Sequence, residues 1–391
     1  MKQRFPKHLS YRYKLNLENL PARSKDRLSY KSLIAGIVIG FLMALLGVLE
    51  MANKFRVEKD FIYPINLNSA HLAFNHLFVD YSYIIIGVGI MLWTIVSYIR
   101  YKKIYFNGRT FDVDFKGVFG ETELFDEHLR NYRGVRMRVE FCQWGILTQN
   151  KYIIELEHID PGKTIPLYIS TDSTEVYDIW HYYAKRLDMP TIIDTDEGVK
   201  VVDTRDLNKS LKDYIISLGL APNYAILPPK PRVIKFSQRR DKIVLSIKKS
   251  FWDVYNTIAF IWLAVYGAVY YLAVRNYEQV SAMIGVQWKT YLLFTMATLL
   301  LIIWVLWLFK REKIVIKAGR IILIYNFFFI SRKRDDVAIE ELKDIEILRS
   351  PNNNRHYLAL ISQYNVAVLG SKMPLELLRW LKKFIISEII K

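Results

Sequence analysis

The sequence predicts an α-helical membrane protein with α+β domains on its cytoplasmic side: four transmembrane helices in two hairpins, and two small β-barrels each with a C-terminal helix. Three observations predict it. The 391-residue chain is 52% hydrophobic yet carries a formal charge of +17, which fits apolar spans with basic flanks better than a soluble nucleic-acid binder. Four apolar stretches approach the ~20 residues that a helix needs to cross a bilayer. A run of short strands ending in an amphipathic helix occurs twice, each time after a pair of those stretches.

Residues 1–31 form a basic segment that includes Arg23, Lys25, Arg27 and Lys31. Residues 32–100 hold the first expected hairpin, SLIAGIVIGFLMALLGVL (Ser32–Leu49) and YSYIIIGVGIMLWTIVSYI (Tyr81–Ile99). Residues 251–310 hold the second, VYNTIAFIWLAVYGAVYYLAV (Val254–Val274) and YLLFTMATLLLIIWVLWLF (Tyr291–Phe309). None of the four contains a charged residue. Lysines and arginines crowd the flanks that face residues 1–31, 101–250 and 311–391, so the positive-inside rule places both termini and the middle region in the cytoplasm. The first stretch begins too late and runs too long for a cleavable signal. Gly36, Gly40, Gly87 and Gly89 read as points of close helix packing.

The two β-rich regions are 101–190 and 311–391. Each opens with strands around a glycine turn, Asn107-Gly108 and Ala318-Gly319, continues into a hairpin, and closes with a helix. Val176, Ile179, Trp180, Tyr183 and Leu187 share one face of the first helix; Leu377, Trp380, Leu381 and Phe384 share one face of the second. Asp172 or Ser173 is placed to cap the first, and Ser371 the second. Residues 191–231 read as a linker with a short helix, and 232–250 as a β-hairpin joining the second domain. The letters Gly162-Lys163-Thr164 lack the glycine that a phosphate loop needs five residues upstream, where Glu157 stands. Alternating runs on either side make Asp160-Pro161-Gly162 a hairpin turn.

The segment VAIEELKDIEILRS, its counterpart LFDEHLRNYRGVRMRV, and the order of spans and strands around them resemble the pleckstrin-homology-like domains that follow transmembrane hairpins in bacterial membrane proteins, here duplicated. The resemblance implies a bacterial cytoplasmic membrane, a non-enzymatic protein and no cofactor. It further implies domains that bind a protein partner or lipid headgroups, making the chain a scaffold or regulatory subunit.

Sites of chemistry are sparse. The single cysteine, Cys142, excludes an internal disulfide and a Cys-based zinc site. His76 and Asp80 stand four apart with His71 nearby; they are candidates for a lipid-modifying enzyme at the outer face, against an interfacial pair in water. Asn256 and Thr295 are the candidates if the apolar stretches serve transport or a channel. Lys102, Lys103, Lys248, Lys249, Lys310 and Arg311 flank the stretches and would meet anionic lipid headgroups. Asp112 and Asp114 form a D-x-D on an alternating strand, which reads as a solvated face. Asp194, Asp196 and Glu197 lie in a loop without the further ligands of a calcium site. Nucleic-acid binding is disfavoured, because the aromatic residues fall at core spacings. The expected partners are membrane lipid and a membrane-protein complex partner, and the oligomeric state stays open.

Overall fold

A computed structural model describes residues 10–59, 67–144, 147–203, 209–239, 242–247, 310–327, 330–349, 356–370 and 373–391, with isolated positions between 261 and 302. The chain divides into two compact units. The first comprises residues 1–135 and 153–171; the second comprises 136–152 and 172–391.

In the first unit β2 (Ala22–Arg27), β3 (Tyr101–Phe106), β4 (Thr110–Lys116) and β5 (Glu121–His128) form an antiparallel sheet in that order. Between the paired strands β2 and β3 the chain makes two long helices, α1 (Tyr30–Lys59) and α2 (Leu67–Ile99). Only Leu28 and Ser29 separate β2 from α1, and only Arg100 separates α2 from β3, so the helix pair leaves one end of the sheet on short tethers. The helices run antiparallel and in close contact. A Cβ on Gly40 would lie 2.6 Å from the Gly87 carbonyl oxygen, and one on Gly87 would lie 2.6 Å from the Ala44 nitrogen. Thr94 covers Gly36 and donates its hydroxyl to the Ile90 carbonyl at 2.7 Å; Gly89 faces open space. The outer faces of both helices are apolar and exposed, with Leu42, Leu46, Ile85 and Trp93 among the uncovered side chains.

The rest of the unit is built on β1 (Tyr13–Lys14), β8 (Ile165–Ser170), and the adjoining parts of β7 (Leu147–His158) and β6 (Tyr132–Trp144). Leu15, Leu17, Phe106, Phe111, Val113 and Leu167 fill its core, with Phe106 stacked on Phe111 at 4.1 Å. The β7–β8 connection is the turn expected at Asp160-Pro161-Gly162, and the Asp160 carboxylate accepts from the Gly162 N–H at 2.9 Å.

In the second unit α3 (Val176–Leu187) precedes the hairpin β9 (Thr191–Thr195) and β10 (Gly198–Val202), with α4 (Leu211–Ser217) and α5 (Ala221–Ala225) beyond. One sheet runs β11 (Ile234–Arg239), β12 (Lys242–Ile247), β13 (Lys310–Lys317), β14 (Arg320–Phe327), β15 (Ile330–Ala338). In another, β9 pairs with β16 (Leu342–Arg349), followed by β17 (His356–Ser362) and β18 (Val366–Leu369). The closing helix α6 (Leu375–Ile390) buries Leu377, Trp380, Leu381 and Phe384 among residues of both sheets. The Trp380 indole N–H donates to the Pro228 carbonyl at 3.0 Å. Neither closing helix is capped as expected. Glu175 precedes α3 in a left-handed conformation, while Asp172 accepts from the Thr174 N–H and hydroxyl; Pro374 precedes α6, and Ser371 lies outside the described residues.

The order of elements recurs along the chain. Strand β12 pairs with β13 across residues 248–309, as β2 pairs with β3 across the helix pair. The register of β4 on β5 shifts between Val113 and Asp114, and that of β14 on β15 between Leu323 and Ile324. Both shifts follow the strand's fourth residue. Three strands and a helix then follow each time in sequence, β6–β8 with α3 and β16–β18 with α6.

The expected fold class is corrected on two counts. Two helices among the described residues, not four, have the length and apolarity to cross a membrane: Tyr30–Leu49 and Tyr81–Ile99. The stretches 254–274 and 291–309 lie largely outside the described residues. The protein is also rich in strand, at 41% with six helices among the described residues, and carries a curled mixed sheet where two small barrels were expected. Alternation along a strand fixes which residues share a face but leaves closure undetermined.

Candidate functional site

The first sheet turns a basic and aromatic face outward. Along β2, Ala22 and Asp26 point inward while Arg23, Lys25 and Arg27 point out. Asp26 is fully buried and accepts from the Ser10 N–H at 2.8 Å and the Ser10 hydroxyl at 2.6 Å, which pins the strand's facing. Register then sets the outward rows. Arg23 stands beside Tyr105 and Asp112, Lys25 beside Lys103 and Asp114, and Arg27 beside Tyr101 and Lys116. The cations lie over aromatic rings: Arg23 over Tyr105 at 5.2 Å, Lys25 over Tyr101 at 5.1 Å and Arg27 over Tyr98 at 5.4 Å, while Arg100 lies 5.4 Å from the ring of Phe115, in the inward row of Asp26 and Lys102. Such contacts hold charged heads in place while leaving them in water. Lys103 lies 3.5 Å from Glu121 and 3.8 Å from Asp114. The face therefore grades from basic at β2 to acidic at β5.

At that acidic edge burial, a hydrogen bond with Asp126, and the charges of Asp126, Asp114 and Glu123 raise the Asp112 carboxyl above its ordinary range. The D-x-D pair thus lies on the outward face of its strand, as alternation requires.

Next to the Gly162-Lys163-Thr164 turn, Glu127 accepts from Lys163 and Asn131, with His158 at 3.8 Å. Those two hydrogen bonds, opposed by burial and helped by the charges of Lys163 and His158, hold the Glu127 carboxyl down to about 2. The lysine that suggested a phosphate loop is thus ion-paired to a carboxylate.

The second unit buries an ionic network. The Lys200 ammonium donates to Asp344 and Glu346, each at 2.7 Å, and Lys382 also donates to Glu346. Burial would lower the Lys200 pKa, but Asp344 and Glu346 outweigh it and hold it up. Burial raises Asp344; Glu346, facing two ammonium groups, is held down despite its own burial. A cavity of about 30 Å³ beside the network, lined by Tyr177, Trp180, Lys200 and Tyr214, has room for water and little else. Two cations and two anions neutralise one another here, so the network ties β10, β16 and α6 together.

The sequence-nominated residues fall in several places. His71, His76 and Asp80 lie on the N-terminal half of α2, where the structure describes only the backbone. Asn256, Lys248 and Lys249 lie outside the described residues, and Thr295 is an isolated helical position with an exposed side chain. Lys102 and Lys103 sit on β3 with the rows above, and Lys310 and Arg311 open β13. Asp194, expected in a loop, lies on β9 and pairs with Arg136 at 3.4 Å; Asp196, in the turn that follows, pairs with Arg379 at 2.8 Å. No group of three or more metal-ligating side chains occurs among the described residues. Sequence reasoning counted Arg23, Lys25 and Arg27 only as topology signals. The missed sign was their period-2 spacing against Ala22, Ser24 and Asp26. Comparison with family models, curated proteins and solved structures finds no match.

Proposed function

We propose that this chain is an integral membrane protein, anchored by α1 and α2, whose β-rich parts stand on the cytoplasmic face and hold a protein partner there without catalysing a reaction. The observation that carries this is the insertion of an apolar helix pair between two hydrogen-bonded strands, with Arg27 and Arg100 at the junction. A sheet tethered so closely cannot leave the surface that the helices enter. The exposed outer faces of α1 and α2 support the same placement, because apolar patches of that extent call for lipid or a partner. The basic junction supports a cytoplasmic placement of the sheet, by the positive-inside rule. The recurring element order supports kinship with the bacterial membrane proteins named above and a scaffolding role. Crosslinking and mass spectrometry on protein taken gently from its native membrane tests this. A partner at near-stoichiometric yield, joined to lysines of 101–190 or 311–391, is the expected result. A partner-free protein retaining a small substrate would overturn the scaffold and favour transport or lipid chemistry.

A further inference from the structure

We infer that the tip of the β4–β5 hairpin is a membrane-inserting prong: Val118 and Phe119 enter the headgroup boundary of an anionic leaflet, while Arg27, Arg100 and Lys116 meet lipid phosphates. The inference rests on the anchoring just proposed and assigns a lipid contact to a part of the sheet outside the helices.

Register fixes where the tip lies. Arg27 pairs with Tyr101, Tyr101 with Lys116, and Lys116 with Glu121. The helices join the sheet at Arg27 and Tyr101, so the tip that follows Lys116 projects from the same end. There the chain reads Gly117-Val118-Phe119-Gly120, closed by a hydrogen bond from the Gly117 N–H to the Gly120 carbonyl at 2.8 Å. Phe119 is fully exposed and Val118 nearly half exposed. An aromatic ring held wholly in water on a tight turn packs no core; apolar side chains ringed by cations suit the boundary between headgroups and acyl chains.

The turn at the other end of the sheet is the contrast. Asn107-Gly108-Arg109 is polar, with the Asn107 side-chain Oδ1 accepting from the Arg109 and Thr110 N–H groups, each at 2.8 Å. Charge is complementary too. Lys116 lies 5.7 Å from the Tyr101 ring and Arg100 5.4 Å from that of Phe115, so both cations are held beside the tip. Glu121, the acid in that row, is 3.5 Å from Lys103. The strand register recurs in the second half, where Lys310, just after the fourth apolar stretch, pairs with Phe327, and Phe327 with Ile330.

The test uses the full chain in a Cys142→Ser background, reconstituted in vesicles of phosphatidylcholine with phosphatidylglycerol. A fluorophore sensitive to polarity is attached at Val118→Cys, at Arg109→Cys or at Leu42→Cys on α1, and lipids with shallow or deep nitroxides act as quenchers. The expected result is shallow quenching at 118, none at 109 and deep quenching at 42. Adding Phe119→Asp should shift the docked balance at 118 about tenfold toward water. Lys116→Glu should shift it by about fivefold or more, an effect absent from pure phosphatidylcholine. Quenching at 42 without quenching at 118 would overturn the prong and leave the anchoring intact. Quenching at neither would overturn both. A label at 118 shielded from aqueous iodide in native membranes, yet untouched by nitroxide lipid, would mean that protein covers the tip, and would also overturn the prong.

Discussion

Asp112 and Glu127 sit in one sheet and its margin and titrate in opposite senses. The Asp112 carboxyl is raised above its ordinary 3.8, so the folded state favours the protonated form. Its contribution to stability is present below pH 3.8 and lost as pH rises through the raised value. Asp112→Asn should therefore raise the Tm by a few degrees at pH 7 and change it little at pH 3, as read by thermal melts across pH. Glu127 is held down from 4.5 to about 2, so its contribution is present above 4.5 and fades as pH falls toward 2. Glu127→Gln should lower the Tm at pH 7, with the difference from the parent narrowing between pH 4.5 and 2. An unchanged difference over that window would mean that the Lys163 contact contributes nothing as an ion pair. Composition gave no sign of either shift: both depend on neighbours from other strands, Asp126 across from Asp112 and Lys163 beside Glu127.

At the scale of elements, periodicity was read well and coverage poorly. The face of α6 built on Leu377, Trp380, Leu381 and Phe384 is buried, and the turns at Asn107-Gly108 and Ala318-Gly319 form where expected. Strand β7 differs. Its alternation of Tyr152, Ile154 and Leu156 with Ile153, Glu155 and Glu157 implies one face in water, yet residues 151–157 are all buried. A sequence shows which residues share a face but not what packs over the polar one. The Lys200 network was invisible for the same reason, since β10, β16 and α6 meet only in the fold. Lys200→Met should cost about 3 kcal/mol in chemical unfolding, because it strands the buried Asp344 carboxylate and leaves Glu346 with Lys382 alone. The helix pair was the most legible element, and Gly87→Leu tests its packing. A side chain there meets the backbone of Gly40 and Ala44, so disulfide trapping between positions 36 and 94 should fall sharply.

For the whole molecule, the pair of long apolar helices and the recurring order of strands were legible in the sequence, because both are written in local composition. It did not carry the division into two units, because β6 and β7 pass from one to the other and no composition shift marks the crossing. Of its four apolar stretches, two are helices with the length and apolarity to cross a membrane, and the other two lie largely outside the described residues. The central claim is that α1 and α2 cross a membrane and hold the first sheet on its cytoplasmic side. Labelling single cysteines with a membrane-impermeant maleimide in the Cys142→Ser background tests it most directly. A cysteine at Asn66, between α1 and α2 in sequence, should react in intact cells, whereas one at Arg109 on the sheet should react only in inside-out vesicles. Reaction of Arg109→Cys in intact cells, or of both positions on the same side, would contradict the account.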